Sequence, residues 1–186
     1  MVLHAARGKG SLEVTDAAAK VATEIRDASV LQTQAQPLVG QPAPHFSLLD
    51  QHGRTITLES FRGSGVLIIF IPFAFSDTCS NELVDLRGAE DLLGNDRVKV
   101  VVVSCDSIYT LKAWAETHAY GAGILSDFWP HGEAARAYGV FNESKGLANR
   151  GSFLIDAEGV VRWAIVSPMG QARDLDDYRA ALPLIF

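Results

Sequence analysis

Cysteine is scarce in this chain of 186 residues, occurring only at Cys79 and Cys105. Two cysteines are too few for a disulfide scaffold, and such usage fits a reducing cytosol, where a lone cysteine is either inert or reactive. Basic charge is scarce as well. Sixteen Lys and Arg against 22 Asp and Glu leave a net charge of -6, which favours neither nucleic acid nor an anionic membrane as partner. Long apolar runs are missing, since the longest, 66–75, is about half of the ~20 residues a membrane helix needs. The N-terminus has no apolar core of a secretory signal, and Glu13, Asp16, Glu24 and Asp27 make it too acidic for a typical transit peptide. A cytoplasmic protein is therefore expected. The five His and two Cys show no ligand spacing such as His-x-x-x-His, and there is neither a Walker loop nor a Gly-x-Gly-x-x-Gly loop, so no metal or cofactor is expected.

What is present divides unevenly. Residues 1–36 hold no Phe, Trp or Tyr and are rich in Ala, Thr, Ser and Gln. They are expected to be an extension, partly disordered or forming one loose helix over 14–25. "PLVGQPAP" (37–44), with three prolines and a glycine, marks the boundary to a domain over 37–186. Next, "HFSLLD" and "TITLES" flank "QHGR" as a hairpin turning at Gly53. "GVLIIFIPF" is a continuous β-branched run, as expected of a strand covered on both faces. Apolar residues at helical spacing predict a helix over 79–93, stopped at Gly94. "VKVVVVSC" (98–105) predicts a second buried strand, followed by helices at 107–119 and 132–139. A hairpin over 150–166 turns at Glu158-Gly159, and a closing amphipathic helix covers 173–185. This order predicts an α/β sandwich with a mixed central sheet flanked by helices.

A buried strand feeding a helix places its connecting loop at the carboxyl end of the sheet, where α/β proteins bind ligands. Cys79 falls there, around the first helical position, where unpaired N–H groups and the helix dipole favour the thiolate, the nucleophilic form. Ser76 can direct a hydroxyl into the same place, and Pro72 ends the strand's ladder. Each residue also has an ordinary explanation. Cysteine is among the most buried residue types; Ser76, Asp77 and Thr78 are good N-caps; Glu82 suits a first helical turn.

Taken together, Pro72-x-x-x-Ser76-x-x-Cys79 resembles the peroxiredoxin motif Pro-x-x-x-Thr/Ser-x-x-Cys. "VGQPAPHFSLLDQHG" is similar to that family's opening, Cys79-x-x-Glu82 to its continuation, "VVVVSCDS" to its Ser-x-Asp strand end, and "NRGSFLIDAEGVVRW" to the segment with its active-site arginine, here Arg150. The likeness spans about 37–183, and "PFAFSDTCSNEL" with "ANRGSFLID" is most similar to the AhpE-like one-cysteine members. The resemblance implies a thioredoxin-like fold, a homodimer, and attack of Cys79 on a hydroperoxide to give sulfenic acid. It implies donors to both peroxide oxygens from Ser76, the N–H groups of Thr78 and Cys79, and Arg150. Glu82 would orient Arg150 as a bidentate pair. Three departures stand out. Ser76 replaces the commoner Thr, His45 replaces an acidic residue, and Asp77 beside the motif would oppose a thiolate unless it faces solvent.

A sulfenic acid must be reduced by a thiol. Position 84 is Val and the tail "DYRAALPLIF" lacks cysteine, so Cys105 is the one internal candidate. It follows four valines in a buried strand and is better explained as core. The expected partner is an external reductant: a low-molecular-weight thiol, a glutaredoxin-like protein or thioredoxin. A Cys-x-x-Cys exchange enzyme is disfavoured because position 82 is Glu, and a Cys–His hydrolase because His118 and His131 lie in no such motif. A peroxide sensor that relays oxidation to a bound protein shares the first chemical step and stands as the alternative.

Overall fold

Two apolar, β-branched runs dictate the centre of the molecule. The computed structural model describes residues 16–26, 30, 38–89, 98–118, 120 and 123–186. In it, β3 (Gly65–Phe70) is buried at every position and pairs in parallel with β4 (Val98–Ser104). β4 in turn pairs in parallel with β5 (Gly123–Ser126). Antiparallel strands extend both sides: β1 (Ser47–Asp50) and β2 (Thr55–Thr57) beyond β5, and β8 (Arg150–Ile155) and β9 (Val161–Ser167) beyond β3. The sheet order is β2-β1-β5-β4-β3-β8-β9, a mixed sheet as the sequence predicts. A short pair, β6 (Phe141–Asn142) and β7 (Leu147–Ala148), lies apart.

Strand alternation sends successive side chains to opposite faces, and each face has its own core. On one face Leu67, Ile69, Val102 and Ile124 meet Leu83 and Leu86 of α1 (Asp77–Gly88), Leu111 and Trp114 of α2 (Ile108–Thr117), and Tyr178 of α4 (Leu175–Ala181). On the other, Ile68, Phe70, Val101, Val103 and Leu125 meet Ala134 and Ala135 of α3 (Glu133–Ala137), together with Phe46, Leu48 and Tyr138. Phe70, Tyr138 and Phe153 stack edge-on or tilted there, with centroids 4.9 to 5.9 Å apart. Truncating such a ring to Ala removes roughly 3–5 kcal/mol.

Both hairpins turn where the sequence places them. Gly53 and Gly159 adopt φ +79° and +83°, a region that glycine enters without steric cost. The "PLVGQPAP" segment does more than separate domains. From Gly40 to Ala43 it bonds to the end of the second hairpin, with Gly40 N–H donating to Val161 O (2.7 Å) and Ala43 N–H to Gly159 O (2.9 Å). Of the N-terminal extension, 16–26 form an exposed helix, and the rest of what was expected for 1–36 lies almost wholly outside the described residues.

Two readings need correction. The helix after β3 begins at Asp77, two residues earlier than predicted, because Ser76 takes the cap, and it ends at Gly88. The proposed stop at Gly94 lies outside the described residues. The sequence assigned no strand to 123–126, yet β5 is there: four residues are too short for periodicity to declare, and only pairing with β4 and β1 creates the strand.

Candidate active site

The loop leaving β3 climbs from the sheet and turns into α1. Pro72 is buried and offers no N–H, so ladder bonding stops after Ile71 donates to Val103 O (2.9 Å). Phe75 adopts φ +61°, a left-handed conformation that costs a non-glycine residue about 1 kcal/mol or more. Ser76 then caps the helix. Its Oγ accepts the Cys79 N–H at 3.4 Å and donates to Phe73 O at 3.4 Å. Cys79 is the third helical residue rather than the first, still within the turn whose N–H groups point outward. Thr78 is half-buried beside it, while Asp77 faces solvent. The other departure, His45, is an exposed residue bonded to Glu59, remote from this loop.

Cys79 is 1% exposed and packs on the core face shared with α2 and α4. Arg150, the first residue of β8, reaches it across the sheet, with Nη2 donating to Cys79 Sγ at 3.2 Å. Its Nε donates to Met169 O at 2.6 Å and its Nη1 to Glu82 Oε2. Glu82 stands one turn after Cys79 on the buried face of α1. The bidentate partner of Glu82 is not Arg150, however, but Arg173, which the sequence did not single out. Arg173 Nε and backbone N–H both donate to Glu82 Oε1 (3.0 and 2.8 Å), and Nη2 donates to Oε2 (2.9 Å). Its Nη1 donates to Phe70 O, Gly151 O and Ser152 Oγ at 2.8 to 3.3 Å. Ser152 in turn meets the Tyr178 hydroxyl at 3.0 Å. Arg150, Glu82 and Arg173 side chains are 2%, 7% and 2% exposed, so the cations fix a carboxylate that fixes them. In sequence Arg173 is one charged residue before the Asp174 cap of α4, indistinguishable from a solvated side chain until the fold closes over it.

Cys105 occupies a different place. It follows the last residue of β4 and is not part of the cluster that holds Cys79; its neighbours are Asp127, Ala148 and Asp106. Burial pushes its thiol up to about 12, and the Asp127 carboxylate adds to this against the opposing Ala148 N–H. It is buried and in no disulfide. Among the described residues no group of three or more His, Cys, Asp or Glu side chains could hold a metal, and no helix is long and apolar enough to cross a membrane.

A buried thiol at a helix N-terminus, touched by a guanidinium that a carboxylate positions, defines an anion-stabilising nucleophile site at the carboxyl end of parallel strands. Comparison with known proteins agrees. The model of the AhpC/TSA family matches residues 39–164. Alkyl hydroperoxide reductase E of Mycobacterium tuberculosis is 42% identical over 137 residues, covering 73% of this chain and 90% of that protein. Peroxiredoxin TSA1-B of Candida albicans is 34% identical over 149 residues, 76% of each. The crystal structure of Enterococcus faecalis AhpC superposes with a TM-score of 0.71 at 30% identity, covering 78% of this chain and 90% of that one. The chain belongs to the AhpC/TSA family, the peroxiredoxins, with their thioredoxin-like fold. It is an oxidoreductase of the thiol-dependent peroxidase class.

Proposed function

We propose that this chain reduces hydrogen peroxide and organic hydroperoxides through Cys79 by a one-cysteine mechanism. The observation that carries the reading is the 3.2 Å contact from Arg150 Nη2 to Cys79 Sγ at the start of α1. The thiolate attacks the terminal peroxide oxygen, the S–O bond forms as the O–O bond breaks, and the leaving oxygen departs as water or an alcohol after taking a proton. Sulfur is oxidised by two electrons and the peroxide is reduced by two. Negative charge grows on the leaving oxygen, so donors aimed at the two oxygens lower the barrier. Ser76 Oγ, the Thr78 and Cys79 N–H groups and Arg150 fill that role, Pro72 shapes the loop, and Glu82 holds Arg150.

An external thiol then attacks the sulfenic sulfur, releasing water and leaving a mixed disulfide that a second thiol resolves. Support for an external reductant comes from Cys105, which is buried beside Asp127 and Ala148 and outside the cluster that holds Cys79. The reductant is a low-molecular-weight thiol, a glutaredoxin-like protein or thioredoxin, as fits a cytoplasmic enzyme. Residues 37–186 form the catalytic domain, and 1–36 are an extension to it. The functional unit is a homodimer, in which a partner would cover apolar surface such as Phe128 and Trp129 (53% and 82% exposed). Light scattering should give twice the chain mass.

The deciding experiment is stopped-flow oxidation by hydrogen peroxide, a fatty-acid hydroperoxide and peroxynitrite, followed by steady-state turnover with each thiol. Cys79→Ser should abolish the reaction. Retained activity in that variant ends this reading, and one fast oxidation without turnover by any thiol favours a relay instead.

A further inference from the structure

The loop that delivers Cys79 is packed through Pro72 and Ala74 but has few hydrogen bonds. Ile71 is still bonded to β4, and Ser76 belongs to the cap of α1. Besides the Ser76 Oγ bond to Phe73 O at the cap, one hydrogen bond among those of the described residues ties 72–75 to the rest of the sheet: Ala74 N–H donates to Asp106 Oδ2 at 2.8 Å. The bond matters because the same segment holds Phe75 at φ +61°, a conformation that persists only when its surroundings impose it. Asp106 is itself firmly placed just beyond β4. Ser104 Oγ donates to the same Oδ2 at 2.5 Å, and Asp106 N–H donates back to Ser104 Oγ at 3.0 Å. Ser126 Oγ, at the end of β5, donates to Asp106 O at 2.6 Å, and Asp127 N–H donates to Ser104 O at 2.8 Å. The ends of two parallel strands thus converge on Asp106, one through its side chain and one through its backbone carbonyl, and its carboxylate holds the loop from the third.

We infer that Asp106 is a positioning residue for the peroxide reaction, fixing the 72–76 loop through Ala74 so that the Ser76 hydroxyl is kept at Cys79. It touches neither the thiol nor the peroxide. The inference rests on the reading that Cys79 attacks a hydroperoxide. The Cys79–Arg150 contact comes from β8, on the other side of β3, and does not run through Asp106. Loss of Asp106 therefore disturbs the donors around the peroxide more than the availability of the thiolate. A displaced donor is costly, because a shift of about 1 Å in a catalytic arrangement reduces rate by up to ~10²-fold.

The test compares two reactions of the same thiol in the full chain. Oxidation by hydrogen peroxide needs oriented donors, while alkylation by iodoacetamide reports the thiolate alone. Asp106→Ala should slow oxidation by about tenfold or more while alkylation stays within about threefold of the parent. Asp106→Asn keeps an oxygen acceptor for Ala74 N–H and should recover oxidation to within about threefold of the parent. Should Asp106→Ala fail to fold, Ser104→Ala, which frees the carboxylate from its hydroxyl partner, should slow oxidation in the same selective way. The inference is overturned if both rates fall in parallel, if Asn is no better than Ala, or if the Ala variant (or Ser104→Ala in its place) oxidises as fast as the parent. The parent and Cys79→Ser run alongside: a parent that is not oxidised at Cys79 ends both readings, whereas a fast parent with an equally fast Asp106→Ala ends this one alone.

Discussion

Arg150 divides its guanidinium between the nucleophile and its support, with Nη2 at 3.2 Å from Cys79 Sγ and Nη1 on Glu82. Replacing it with Ala should lower the rate of Cys79 oxidation by about 10²–10³-fold, the usual loss for one aimed donor. Arg150→Lys should recover little, since an ammonium cannot serve the thiol, Glu82 and Met169 O from one plane. Stopped-flow oxidation of the two variants decides this, and an Ala variant within about tenfold of the parent would contradict the assigned role.

Arg173 should matter for stability as much as for rate. Truncating its side chain strips two of the four hydrogen bonds from a buried carboxylate, leaving the backbone N–H of residue 173 and Arg150 Nη1. Arg173→Ala should cost about 3–5 kcal/mol, the range for breaking a buried ion pair from one side. In a chain of this size the melting temperature should fall by about 6–20 °C. Glu82 keeps Arg150 as its counter-ion in that variant, so adding Glu82→Gln should destabilise further by leaving Arg150 unpaired, and calorimetry of the single and double variants reads the coupling.

The two cysteines should differ sharply in reactivity. With burial holding the Cys105 thiol up at about 12, it stays protonated throughout the usual range. Iodoacetamide at pH 8 should label native protein at Cys79 only, as mapped by mass spectrometry, and Cys79→Ser should take up no label until it is unfolded. Rapid labelling of Cys105 in the folded variant would refute this expectation.

Acid stability should register the second hairpin. Burial works against the Asp156 charge, but the Val160 N–H, the Arg162 guanidinium and the Glu158 N–H together hold its carboxyl below the ordinary 3.8. A carboxyl lowered in the fold contributes stability above its unfolded value, and that contribution is lost as pH falls through the lowered one. Asp156→Asn should therefore destabilise by about 1–3 kcal/mol at pH 7. The gap to the parent should narrow as pH drops below 3.8, measured by denaturant unfolding. A gap that is constant with pH would place the loss elsewhere.

The sequence was most legible where a local rule is sufficient. The uninterrupted run of β3 announces burial on both faces, and Gly53 and Gly159 announce turns, because each signal is complete within a few residues. Pro72, Ser76, Cys79 and Glu82 are legible for the same reason, lying within one loop and the first two turns of one helix. What could not be read is what only closure of the sheet creates. β5 is a strand because β1 and β4 flank it. Arg173 is a site residue because the loop after β9 folds back onto α1, 91 positions away. Asp106 meets Ala74 only because β3 and β4 end side by side. The Glu82–Arg150 pairing was right in partners and wrong in shape, since spacing alone cannot say which of two arginines takes both carboxylate oxygens.

The buried ion cluster can also be read as a sum of charges. Arg150 and Arg173 bring two positive charges and Glu82 one negative, so the cluster carries an excess of +1 before Cys79 is counted. A thiolate brings the total to zero within a region shielded from water. Sulfenic acid is neutral, so each oxidation returns the pocket to +1 where screening is weakest. On the proposed mechanism the spent site would then attract an incoming anion, and an external thiolate is the anion that would repair it.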